Sequence, residues 1–147
     1  MATSTGTRGE ALEVRRTFSA PRARVFQAWT TPEEVKLWAA PGPTLAVPVA
    51  EIDLRVGGGY RIHMREPDGK EYRVVGTYRE VDPPRRLVYT WTWETDPTVV
   101  DSLVTVEFHD RKGATEVVLR HEGLPADKKD GHEVGWIGCL EKLAQIL

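Results

Sequence analysis

Residues 130–147, DGHEVGWIGCLEKLAQIL, decide the fold. At about 100° per residue, Trp136, Ile137, Cys139, Leu140, Leu143, Ala144, Ile146 and Leu147 fall on one arc covering roughly half of a helix circumference. Glu141, Lys142 and Gln145 hold the other side. Such an arc is wider than the stripe a helix buries on a flat surface. The helix therefore needs a concave partner, and the upstream sequence offers six or seven strands joined by short turns.

Leu12, Val14 and Phe18 alternate with Glu13 and Thr17 and predict a first strand. Arg16 shares the apolar side by parity. An inward guanidinium would need an anion, since an unpaired buried charge costs several kcal/mol. The alternative is a sheet edge from which its stem reaches water. Pro21 suits a helix start, followed by Val25, Ala28 and Trp29. Thr31, Pro32 and Glu34 have capping-box spacing, so a second short helix begins at Pro32 and carries Val35 and Trp38 inward. Pro41, Gly42 and Pro43 end it.

From Val47 the period becomes two, predicting strands over 47–54, 59–65, 71–81, 86–93, 102–110 and 114–121. Gly57-Gly58-Gly59, Pro67-Asp68-Gly69, Asp82-Pro83-Pro84, Asp96-Pro97 and Arg111-Lys112-Gly113 supply the turns. Links this short join antiparallel neighbours, because a parallel crossover needs a dozen or more residues. The expected class is α+β: a curved antiparallel sheet of six to seven strands around a long C-terminal helix, with two short helices after the first strand. Residues 11–147 are expected to form one domain behind a disordered tail at 1–10.

Parity turns Tyr60, Ile62 and Met64, then Leu87, Tyr89, Trp91 and Trp93, then Val104, Val106 and Phe108, then Val117, Leu119 and His121 toward the helix. The segment 72–81 is ambiguous, and Gly76 is a candidate bend or bulge.

The 147 residues carry 20 basic and 22 acidic side chains, net −2, with the signs mixed, so no nucleic-acid stripe is present. No apolar run approaches the roughly 18 residues of a membrane span. Cys139 is the sole cysteine, which excludes an intrachain disulfide and predicts a cytoplasmic protein. It lies inside the apolar arc and reads as inert packing. His63, His109, His121 and His132 lack metal-ligand spacing, so no zinc site is expected. A strand, not a helix with Lys-Ser/Thr, follows the Gly57–Gly59 run, which reads as a turn or bulge. No nucleophile elbow occurs, and no cofactor is expected.

His132 and Glu133 interrupt the arc in the helix's first turn, and His121 ends its strand on the inward face. They read either as hydrogen-bonded scaffold or as the polar end of an apolar pocket. Trp29, Trp38, Trp91, Trp93 and Trp136 all fall at inward positions, and aromatics with scattered polar groups line ligand pockets. The expected cavity has Trp38, Tyr60, Met64, Tyr89, Trp91, Trp93, Phe108, Trp136, Leu140 and Leu143 as walls. His132 and Glu133, joined by either His121 or Arg16, would orient a polar end.

The runs at 16–21 (RTFSAP), 28–33 (AWTTPE), 53–58 (DLRVGG), 76–78 (GTY), 82–84 (DPP), 86–89 (RLVY) and 121–123 (HEG), with Trp38, His132 and Gly135-Trp136, resemble a known family. It is the one similar to the C-terminal domain of the heat-shock-protein-90 ATPase activator, within the START-like, or SRPBCC, superfamily. The resemblance implies a helix-grip fold enclosing a cavity for hydrophobic small molecules, with Trp136 on its wall and His132 at its rim. The superfamily includes lipid carriers, hormone receptors, polyketide cyclases and co-chaperones. The leading expectation is non-enzymatic binding of a small apolar or aromatic molecule by a monomer or homodimer. The alternatives are a cyclase, hydrolase or isomerase using His132 or Glu133 as acid/base, and a co-chaperone or regulatory partner of a chaperone. Nucleic acid and membrane are not expected partners.

Overall fold

Leu12–Phe18 form β1, Arg22–Thr30 α1, Pro32–Trp38 α2, Ala46–Ile52 β2, Gly59–Arg65 β3 and Glu71–Asp82 β4. Arg86–Trp93 form β5, Ser102–Arg111 β6 and Ala114–Glu122 β7, and a 3-10 turn at Ala126–Lys128 leads into α3, Lys129–Ile146. This computed structural model describes residues 11–147, so the tail expected at 1–10 lies outside the described residues. No described helix is long and apolar enough to cross a membrane.

All seven strands pair antiparallel in one sheet, ordered β1-β7-β6-β5-β4-β3-β2. Strands β2 to β7 form a continuous meander, and β1 returns to pair with β7. The chain thus starts on one edge of the sheet, and α1 and α2 carry it to the other edge at β2. The sheet is curled into a half-barrel, and α3 packs against β1 and α2.

Along α3, Trp136, Cys139, Leu140 and Leu143 are buried, with Ala144, Ile146 and Leu147 packed partly against the same core. Ile137 departs from the expected arc. It is 44% exposed beside Val134 at 70%, because β1 and α2 cover a narrower sector of the helix than the apolar residues span.

Two other local expectations are corrected, at Thr31 and Gly76, and the sheet-edge reading of Arg16 holds. Thr31 sits at the start of α2, but its side chain makes no cap. Its carbonyl accepts the Glu34 and Val35 N–H groups at 3.0 and 2.9 Å while its own N–H closes α1 on Gln27. Glu34 is drawn away from the capping box by Arg24, 2.5 Å distant, an ion pair that ties α1 to α2. Gly76 is not the bulge; the register shift falls between Tyr78 and Glu80. Gly76 is instead a close approach, since a Cβ there would lie 2.0 Å from the Thr90 carbonyl oxygen and 2.5 Å from the Tyr60 ring. Arg16 is exposed on edge strand β1, its guanidinium 5.8 Å from the Phe18 ring centroid. It therefore reaches water and has no place in a polar pocket end.

Candidate ligand-binding cavity

Between α3, α2 and the concave face of β3 to β5 lies a cavity of about 390 Å³, within the size range of small-molecule sites. All five tryptophans and all four tyrosines of the chain line it, and none of its three phenylalanines does. Period-two alternation places Tyr60, Ile62 and Met64 on β3, Tyr72 and Tyr78 on β4, and Tyr89, Trp91 and Trp93 on β5 along one wall. Helical spacing places His132, Trp136 and Cys139 opposite them, with Trp29, Val35 and Trp38 from α1 and α2 closing the inner end.

Of the residues singled out in the sequence, Trp38, Tyr60, Met64, Tyr89, Trp91, Trp93, His132 and Trp136 come together here. Phe108, Leu140 and Leu143 do not line the space but belong to the packed core. Phe108 meets Phe26 and Trp29, at ring separations of 5.4 and 5.6 Å, on the α1 side of the sheet. Glu133 is half-buried and outside the lining, and His121 stands behind the wall. Sequence reasoning did not single out Tyr72, Tyr78, Trp29 or Cys139 as lining residues. Membership in the Trp and Tyr set was the signal that would have found the first three.

The two inward histidines are fixed by hydrogen bonds. Trp136 Nε1–H donates to His121 Nδ1 at 3.1 Å, so the neutral ring carries its proton on Nε2. That N–H donates to Ser102 Oγ at 2.9 Å, and the Ser102 hydroxyl donates to the Trp91 carbonyl at 2.6 Å. His132 takes the opposite tautomer: Nε2 accepts from Trp93 Nε1–H at 2.8 Å, and Nδ1–H donates to the Lys128 carbonyl at 2.8 Å.

Burial pushes His121 down to about 3, with His132 adding to the shift, and burial lowers His132 as well. The rings are 5.4 Å apart, so both stay neutral and neither offers a free nitrogen to the cavity. Burial raises the Cys139 thiol to about 12, and it raises the Tyr60, Tyr78 and Tyr89 phenols. The wall is therefore uncharged.

Charge appears only at the rim. Asp127 and Lys128 lie there, and Lys128 Nζ pairs with Asp96 at 3.2 Å. Within the wall, Trp29 Nε1–H donates to Tyr89 Oη at 3.2 Å, Trp38 Nε1–H to the Ala28 carbonyl at 2.9 Å, and the Tyr60 hydroxyl to the Thr90 carbonyl at 2.5 Å. Among the described residues no cluster of His, Cys, Asp or Glu could hold a metal ion.

A family model described as Activator of Hsp90 ATPase homolog 1-like protein matches residues 19–147. The Activator of 90 kDa heat shock protein ATPase homolog 1 of Homo sapiens aligns at 25% identity over 125 residues, 85% of this chain and 33% of that protein. The chain thus spans about a third of the length of the curated relatives it matches. A solved protein from Chromobacterium violaceum superposes with a TM-score of 0.86 at 26% identity, covering 92% of this chain and 95% of that one. The AHSA1 protein from Silicibacter pomeroyi does so with a TM-score of 0.79 at 28% identity, covering 92% and 96%.

Proposed function

The chain belongs to the Activator of Hsp90 ATPase homolog 1-like family, and on that premise we propose that its cavity binds a small apolar or aromatic molecule without transforming it. The observation that carries this reading is the gathering of every tryptophan and tyrosine around one hollow of about 390 Å³. Apolar wall left open to water forgoes roughly 25 cal/mol per Å² of burial, so a chain selected for stability alone would cover it with its own side chains. A ligand that occupies the space restores the missing contacts. Binding without chemistry is supported by the committed nitrogens of His121 and His132, by the protonated Cys139 thiol, and by the position of Glu133 outside the wall.

The test is native mass spectrometry of freshly purified protein combined with a thermal-shift and tryptophan-fluorescence screen of apolar compounds. Because all five tryptophans line the cavity, an occupant should change their emission. At about 100 times its Kd it should stabilise the fold by about 2.7 kcal/mol. If nothing travels with the protein and no compound moves either signal, the reading fails.

The alignment with the human activator favours a second reading, contact with an Hsp90-type chaperone. Stimulation of such a chaperone's ATPase by this chain would support it; an unchanged rate and no co-sedimentation would sink it.

A further inference from the structure

Of the residues that line the cavity, only Asp127 and Gly131 are exposed, so the space opens to water beside the first turn of α3. A Cβ at Gly131 would meet nothing within 4 Å, which leaves that side of the mouth clear. Strand register puts the opposite lip at the same end of the sheet. Tyr72 pairs with Met64 and Val74 with Trp93, and the Trp93 indole N–H reaches His132 on α3 at 2.8 Å. Tyr78 lies six residues further along β4 than Tyr72, about 20 Å in an extended strand. It is buried against its cross-strand partner Tyr89 and marks the closed end.

The two ends differ in what they can solvate. Asp127 and Lys128, both at the mouth, are the only charged side chains in the lining among the described residues. Beyond them the wall is aromatic and aliphatic. Around the mouth the charges have mixed sign: Lys128 pairs with Asp96, Lys70 lies 5.2 Å from the Tyr72 ring centroid, and the Tyr72 hydroxyl donates to Glu66. A charged group stopped at this level keeps its hydration. One carried past it toward Tyr78 sheds that hydration with no opposite charge to replace it.

Resting on the reading of the cavity as a ligand site, we infer that it takes a single-ended amphiphile: a flat aromatic body buried between the sheet and α3, with one polar end left in water beside Gly131. The rings of the wall meet the body edge to face, and the clear space at Gly131 leaves room for the polar end. A molecule charged at both ends of its long axis is rejected, because one charge would have to enter the uncharged part of the wall.

Three rigid probes separate the possibilities by calorimetric titration of the full chain: fluorene, fluorene-2-carboxylate and fluorene-2,7-dicarboxylate, the last charged at both ends. The monocarboxylate should bind within about ten-fold of fluorene, and the dicarboxylate at least about a hundred-fold more weakly than the monocarboxylate. Charge placed at position 131 locates the polar end. At low salt the monocarboxylate should bind at least about three-fold tighter to Gly131→Lys than to Gly131→Glu, while fluorene binds both alike. Should either variant fail to fold, the ranking of the three probes on the native chain carries the test. A dicarboxylate bound as tightly as the monocarboxylate, a monocarboxylate excluded while fluorene binds, or a monocarboxylate indifferent to the charge at position 131 overturns the inference and leaves the cavity a ligand site. No binding of any of the three overturns the inference and counts against the ligand reading as well.

Discussion

His121 and His132 take opposite tautomers because each is read by a different tryptophan, Trp136 on Nδ1 of the first and Trp93 on Nε2 of the second. Protonating His121 would set an N–H against the Trp136 N–H inside the core, consistent with its depressed value of about 3 against an ordinary 6.5. The consequence for stability has a definite sign. Above pH 6.5 neither folded nor unfolded chain holds the proton. Below it the unfolded chain takes the proton and the native one does not, so stability falls as pH drops from 6.5 toward 3. One such group contributes a slope of up to about 1.4 kcal/mol per pH unit, and His132 acts in the same direction. Urea denaturation between pH 7 and 5, above the range of ordinary carboxylates, should show this slope, and His121→Gln should reduce it. A flat profile, or one unchanged in the variant, would rule out a neutral buried imidazole. Strand parity turns His121 inward and favours scaffold over polar pocket end without showing what the ring is bonded to. What parity lacks is the partner: Ser102 and Trp136 lie 19 and 15 residues away, and only the folded chain brings them together.

The elements themselves were legible from periodicity, since alternation and turn chemistry set the strands to within a residue or two of their observed ends. The misreadings arose where a neighbour intervened, as Arg24 does at Glu34 and Tyr60 does at Gly76. Helix α3 shows the same dependence in its glycines. Each glycine inside a helix is less favourable than alanine by roughly 1 kcal/mol. At Gly138 there is a packing reason, because a Cβ would stand 3.2 Å from Pro41 Cβ. At Gly131 a Cβ would meet nothing within 4 Å. Gly131→Ala should therefore raise stability by about 0.5–1 kcal/mol in thermal unfolding. Gly138→Ala should gain less than that or lose, since the Pro41 loop must give way. Equal gains at both sites would show that the contact with Pro41 does not restrain the helix.

Across the whole molecule the interior divides in two. Around α1, β6 and β7 the core is filled with phenylalanine and aliphatic side chains, while Trp and Tyr surround the hollow under α3. This division accounts for the expectation that failed at Phe108. Its parity was right, yet the sequence gives no measure of where along the half-barrel an inward side chain falls, and Phe108 falls beside α1. Leu140 and Leu143 fail for the same reason one helical turn further along α3. The two regions should respond differently to substitution. Leu119 is fully buried in the filled part, so Leu119→Ala should cost about 2–5 kcal/mol and leave fluorene affinity within about two-fold, a change of under roughly 0.5 kcal/mol. Cys139 lines the hollow, so Cys139→Leu grows into free volume. It should change stability by no more than about 1.5 kcal/mol while weakening fluorene binding at least roughly ten-fold, or about 1.4 kcal/mol. Chemical denaturation and calorimetric titration of both variants decide the point. If Cys139→Leu binds the probe as the native chain does, the hollow under α3 is not where the probe sits.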